Sequence, residues 1–554
     1  MTGLVFGRQR RQFQHTLDDS DAAMSVSRRE FLRACGVAGA ASLLAPALAE
    51  EIPAAGRKYH LSISSDALQA DPELLELVHR AGVTDVWLTG FLYGHWRYPL
   101  EKTRLWRQRI EEQGMAAHLI NVPLGHPGDS LGSMSGNVPL TPPRHWRLGV
   151  RPDGKTYAGT SLHRPATEEN CEALRQIQQA GVKQVFLDDD FRLARGPGVI
   201  GGCFCGQHKE GFLRRTGYAQ PEWRDLLEAV NRRQLTPVLR AWVEFTCDQL
   251  TACFRVQQNA APRVQLGNMI MYLGAEKAGL RLADYRDVPF RVGELMFDDG
   301  SFAPVKGKTN ELFSSLFHRR FARPELAYSE TTAYPANRLS AKNMTAKLAV
   351  STLSDVRNTM YMSGLTAFPR EHWPALGPAM KRHAALHRHI AGHVARGPLK
   401  HFWGESSRYA GDDNPYSLFL AMGVPFEVTG EPAADGFTFL SDADAGNAGD
   451  LRSPGTVFVT RAQPSRPTSH RTVPESLPDL FALKREILPH LENVPYIEGE
   501  VPVVCAWYPT ARAVLLWNLA EKREELHLRY RGSRRTMSVD GLDTVLIEGI
   551  GGPR

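Results

Sequence analysis

Two segments of this chain, Ala81-Gly82-Val83-Thr84-Asp85-Val86-Trp87-Leu88 and Ala180-Gly181-Val182-Lys183-Gln184-Val185-Phe186-Leu187, repeat one design. Each closes an amphipathic helix at a glycine and opens an apolar strand. Two alike helix-to-strand junctions, two βα units apart, argue for a cyclic α/β array rather than an open sheet. The second strand stops abruptly at Asp188-Asp189-Asp190, as a buried parallel strand does when it delivers carboxylates to a rim. Adjacent carboxylates resist ionising together, which leaves one able to act as a general acid. An acidic turn or a helix cap is the plainer reading of the same residues.

The other strands can be placed around these two. Tyr59–Ser65 is the first, Val86–Leu88 the second, Ala116–Val122 the third, and the run ending at Asp188 the fourth. Val264–Tyr272 is the fifth and carries Asn268. Phe290–Phe297 is the sixth and contains Glu294. Glu325–Ser329 leads the seventh into Glu330, with Tyr334 and Arg338 following, and Asn358–Met362 is the eighth. Helices fit between them: one opened by Asp71-Pro72, one over Leu100–Gln113, one capped by Thr167, and one from Ser340 to Leu353. Eight strand and helix slots predict a (β/α)8 TIM barrel over residues 50–398. Beyond it, short apolar runs at Ser417–Met422, Gly436–Ser441 and Thr456–Thr460 predict a smaller α/β domain over 399–492. Alternating runs at Val503–Trp507, Ala513–Asn518 and Glu525–Tyr530 predict a C-terminal β-domain over 493–554.

At 554 residues the chain exceeds what one core serves, consistent with several domains. A net charge of +6 without a basic block argues against nucleic acid. Residues 1–49 read as a twin-arginine export signal. Arg28-Arg29 precede an Ala/Gly/Leu-rich stretch and the small-residue site Ala47-Leu48-Ala49. That stretch is too short and weak for a membrane anchor. The protein is expected in the periplasm or outside the cell. Six cysteines remain after Cys35 of the signal, too few for a disulfide scaffold.

A signal-bearing barrel with acidic ends on strands four and seven, followed by an α/β and a short β-domain, resembles the β-galactosidase-like glycoside hydrolases, especially family forty-two. The residues carrying the resemblance are Asp188-Asp189-Asp190 with the Cys-rich loop after strand four, and Tyr328-Ser329-Glu330 on strand seven. It implies a retaining glycosidase with an acid/base carboxyl after strand four and a nucleophile after strand seven. The family's Asn-Glu pair on strand four is replaced here by aspartates. The resulting assignment is Asp189 as acid/base, Asp190 as substitute acid and Glu330 as nucleophile. A second arrangement makes a strand-four aspartate the nucleophile and Glu294 the acid. Trp87, His95, Trp96, His163, Asp188, Arg192, Asn268, Tyr334 and Arg338 are the expected substrate-binding residues, because aromatic faces pack on pyranose rings and polar groups orient them. The implied partner is an oligosaccharide or glycoside. Related enzymes often associate, which allows a homo-oligomer.

Two other readings stay open. Cys203, Cys205 and His208 offer three zinc ligands within six residues, although the spacing is unusual and the sequence shows no fourth. No cofactor is required, and a structural zinc there is the one metal the sequence allows. If that metal recruited Asp188 or Asp190, the protein would be a metal-dependent hydrolase. The third reading is a non-catalytic carbohydrate-binding protein on a decayed hydrolase fold.

Overall fold

The structure is a computed structural model that describes residues 56–124, 142–157, 162–188, 191–194, 196, 198–293, 295–364, 366–446, 455–462, 470–491 and 493–551. The signal expected over 1–49, together with Asp189, Asp190 and Glu294, lies outside the described residues.

Eight parallel strands close into a barrel: β1 (Lys58–Ile63), β2 (Asp85–Leu92), β3 (Ala116–Val122), β4 (Gln184–Leu187), β5 (Gln265–Met271), β6 (Phe290–Gly293), β7 (Ala327–Thr332) and β8 (Asn358–Met362). Each strand pairs with the next, and β8 pairs with β1 through Lys58↔Asn358 to Leu61↔Tyr361. The helix-to-strand junctions explain why the array is so regular. Gly82 and Gly181 both take positive φ, and the following valines donate back into the helix, Val83 to the Val78 carbonyl and Val182 to that of Ile177. Only a residue at ease in the left-handed region closes a helix this way and turns the chain straight into a strand.

The differences from expectation are local. Ser64, whose side chain accepts from the Ala67 N–H, caps a short helix over Ser65–Ala70, so the next helix begins at Leu74 and not at the Asp71-Pro72 pair. Thr167 sits inside the helix Ala166–Gln179 and does not cap it. β6 ends at Gly293, short of Phe297, because the Met296 N–H turns to the Glu311 side chain instead of a neighbouring strand. The apolar run that begins at Ser417 forms a 3₁₀ turn over Ser417–Ala421. Between β4 and β5 the chain makes three helices, Gly206–Thr216, Gln220–Arg232 and Pro237–Ala260, with a core of their own around Phe212, Trp223 and Trp242.

After the barrel come β9 (Leu399–Phe402), β10 (Phe426–Thr429), β11 (Gly436–Leu440), β12 (Thr456–Thr460) and β13 (His470–Thr472), a parallel sheet in the order β10-β9-β11-β12-β13. The last six strands are β14 (Tyr496–Ile497), β15 (Val503–Tyr508), β16 (Ala513–Asn518), β17 (Glu524–Tyr530), β18 (Ser533–Val539) and β19 (Thr544–Glu548). They form two antiparallel three-stranded sheets, β14-β17-β18 and β15-β16-β19. β15 and β16 are apolar on both faces. Val503, Cys505, Val514 and Leu516 pack into the terminal core, while Val504, Ala506, Leu515 and Trp517 join the large core shared with the barrel.

Burial also sets an acid limit on stability. Burial holds His60 and His318 to about 4, against 6.5 for a free histidine. The unfolded chain therefore takes up protons below about pH 6.5 that the native chain refuses until about pH 4. Stability is complete above 6.5 and falls across that window, by about 3 kcal/mol for each histidine. Urea unfolding at pH 7 and pH 4.5 reads this loss, and His318→Leu, which cannot be protonated, is expected to flatten it. An unchanged slope in that variant would contradict the assignment.

Candidate functional site

Side chains alternate along each barrel strand, so the sequence decides what enters the lumen. Trp87 on β2, Ile120 on β3, Phe186 on β4, Tyr328 on β7 and Met360 on β8 meet there as one apolar cluster. Below Trp87 lies a polar layer. The Trp87 indole N–H donates to His60 Nδ1 at 3.1 Å, and His118 Nε2 lies 2.8 Å from Asp85 Oδ1. Burial works against the Asp85 charge, but the His118 hydrogen bond, with His60 and Thr84, outweighs it and holds the carboxyl well below the ordinary aspartate range.

Towards the C-terminal ends of the strands the lumen changes character. Arg291 occupies the middle of β6 between Phe290 and Val292, which face the outer core. Its side chain is fully buried, with the guanidinium 5.3 Å from the centre of the Phe186 ring. It donates to Asp188 Oδ1 just past the end of β4, and its Nε stands 2.9 Å from Glu330 Oε2 on β7, a contact of charge without the alignment of a hydrogen bond. Its remaining terminal nitrogen meets Met360 Sδ at 3.0 Å. The Thr332 hydroxyl donates to Glu330 Oε1. Asp188 and Glu330 are both buried. The site thus gathers two carboxylates from strands four and seven on one cation from strand six.

The structure sorts the other expected residues. Trp87 belongs to the lumen cluster. His95 and Trp96 form a short strand folded back on Phe91 and Leu92 after β2, half-exposed, with the Trp96 and Phe91 ring centres 5.2 Å apart. Tyr334 is half-buried and Arg338 exposed in the segment after β7, held by backbone bonds from Tyr334 to Phe297 and from Asp299 to Arg338. Arg192 is buried and donates from Nε to the Ala194 carbonyl, holding the loop after β4. Asn268 shares the face of Leu266 and Ile270, which join the outer core. It lies opposite Gly267, where a Cβ would stand 2.7 Å from the Phe186 ring. Strand alternation therefore turns Asn268 away from the lumen.

His163 lies beside the cysteines. Its Nε2 is 3.7 Å from both Cys203 Sγ and Cys205 Sγ, and Cys205 Sγ is 3.2 Å from His208 Nδ1. One ligand atom from each of the four residues lies within 4.8 Å of the other three. Cys205 precedes the helix Gly206–Thr216, so His208 falls one turn on and shares its face, while the loop after β3 brings in His163. Two thiols and two imidazoles are the ligand types of a four-coordinate zinc site. Neither Arg291 nor the place of His163 beside the two cysteines is evident from the sequence alone. A single arginine inside the apolar run Phe290-Arg291-Val292 was the available signal for the first, because a buried guanidinium requires carboxylate partners. His163 carried no signal, since it stands 40 residues from Cys203.

No family model matches the chain, and no curated protein matches it in sequence. Solved structures match its fold across most of its length. A β-galactosidase from Rahnella sp. R3 is 11% identical with a TM-score of 0.57, covering 89% of this chain and 98% of that one. A β-galactosidase from Halorubrum lacusprofundi is 12% identical with a TM-score of 0.56, covering 89% and 99%. An α-L-fucosidase from Paenibacillus thiaminolyticus is 12% identical with a TM-score of 0.50, covering 87% and 91%. The likeness is one of fold and extends over most of each chain.

Proposed function

We propose that this chain is a glycoside hydrolase in which Glu330 is the nucleophile and Asp189, with Asp190 as substitute, is the acid/base. The observation that carries this reading is Glu330, a buried carboxylate at the rim end of β7 beside Arg291. The fold it shares with two β-galactosidases and an α-L-fucosidase supports the same class of substrate. In the first step Glu330 attacks the anomeric carbon while the strand-four aspartate protonates the departing oxygen. In the second that aspartate, now a base, activates water against the glycosyl ester. Arg291 stands in charge contact with Glu330 and holds it in place, which an attacking carboxylate needs. On a panel of aryl glycosides that begins with β-galactosides and fucosides, the purified protein is expected to turn over at least one. Glu330→Gln is expected to lower that turnover by roughly 10⁴-fold or more, and Asp189→Ala by roughly 10²–10⁴-fold. Sugar binding without turnover on any member would favour a carbohydrate-binding protein instead.

We also propose that His163, Cys203, Cys205 and His208 hold a structural zinc. With four protein ligands such a site is closed, which disfavours a metal-activated water and argues against the metal-hydrolase alternative. The bound ion would tie the loop after β3 to the loop after β4. About one zinc per chain is expected by elemental analysis, and chelation is expected to lower the melting temperature while leaving the turnover of the protein that stays folded unchanged. Turnover that vanishes with no change in melting would mark the metal as catalytic. Export by the twin-arginine route is part of the same proposal. An Arg28→Lys/Arg29→Lys variant is expected to remain in the cytoplasm, and normal export of that variant would exclude the route.

A further inference from the structure

Arg291 makes two ion pairs among the described residues, with Asp188 and with Glu330. Its guanidinium is wholly enclosed, resting on Phe186 and Met360, so water does not stabilise its charge. Among the described residues one cation faces two carboxylates in the resting site. Resting on the proposed glycosidase reading, the chemistry removes one of those charges. An oxygen of Glu330 bonds to the anomeric carbon, the bond from that carbon to the aglycone oxygen breaks, and its electron pair leaves with the oxygen, which takes the proton of the strand-four acid. Glu330 is then a neutral ester. A buried arginine facing only an ester would be an uncompensated charge, the costly case for any interior ion.

We propose that Asp188 is the permanent counterion of Arg291, keeping the lumen balanced while Glu330 is esterified and released, and that it is a positioning residue and not the acid. The assignment follows from the geometry. Asp188 Oδ1 accepts directly from the guanidinium, and the residue is held at the end of β4 by its own N–H, which donates to the Asn121 carbonyl at 2.7 Å. Asp188 is buried and its carboxylate is engaged by the guanidinium, so it is committed to the cation and not to a leaving group. The pairing also gives the triple aspartate a division of labour: the first anchors the arginine and the next two are left for the substrate.

The test is a thermal-unfolding cycle on the full chain. Glu330→Gln imitates the esterified nucleophile, since it keeps the shape and loses the charge. Alone it is expected to lower the melting temperature by a few degrees, as is Asp188→Asn. Together they strand Arg291, and the drop is expected to be at least about twice the sum of the two. Adding Arg291→Met to that pair is expected to restore most of the loss, because a fully neutral site has no stranded ion. Additive single effects, or a triple variant that melts no higher than the double, would overturn the proposal. If the double variant does not fold, the triple alone decides between the two. None of these readings needs turnover, so a wild-type protein inactive on every glycoside would defeat the glycosidase reading while the cycle still decides the counterion role. Where turnover is found, Asp188→Asn is expected to lose activity equally on nitrophenyl and dinitrophenyl glycosides, with no recovery in azide. Recovery with the better leaving group or with azide would show that Asp188 is the acid, contrary to the proposal.

Discussion

A guanidinium buried without water dictates its surroundings. Arg291 projects into the lumen because it sits between Phe290 and Val292 on β6, and strand alternation leaves it no other side. Once there it requires negative charge within contact distance, and the barrel supplies that charge from two strands on either side, Asp188 from β4 and Glu330 from β7. The requirement is mutual, since both carboxylates are buried and need a partner for their charge. Register, burial and charge are thereby tied together across three strands.

The layers beneath explain how such a site is tolerated. Trp87, Phe186 and Tyr328 form an aromatic floor in tilted and edge-on contacts, with ring centres 4.6–6.4 Å apart. Below it, His60 stays neutral, receiving the Trp87 N–H and lying 3.3 Å from Asn358 Oδ1. The floor lends the cation a polarisable surface, and in the polar layer below His60 pairs with Trp87 and Asn358 and His118 with Asp85.

Much of the fold could be read from the chain because it is written in local patterns. The junctions at Gly82 and Gly181, the apolar strand cores and the Ser340 cap all act within a few residues, and β3 and β8 have the limits their patterns predict. The errors came where a tertiary partner overrides the local pattern, as when Glu311 draws Met296 out of β6, or where alternation had to be counted from the correct face, as at Asn268. The site was only half legible. Asp188 and Glu330 stand at strand ends and announce themselves. Arg291 sits inside a strand, and its meaning depends on partners 103 and 39 residues away in sequence. The same is true of His163, a loop histidine whose neighbours are defined only once β3 and β4 lie side by side.

The central claim is that the carboxylate beside Arg291 forms a covalent bond to a sugar. The most direct measurement is incubation with activated 2-deoxy-2-fluoro glycosides of the sugar the protein turns over, followed by digestion and peptide mass analysis. The account predicts a single adduct on Glu330, formed in the wild-type protein and absent in Glu330→Gln. An adduct on a strand-four aspartate, or turnover of the parent glycoside with no trapped adduct on Glu330, would contradict it.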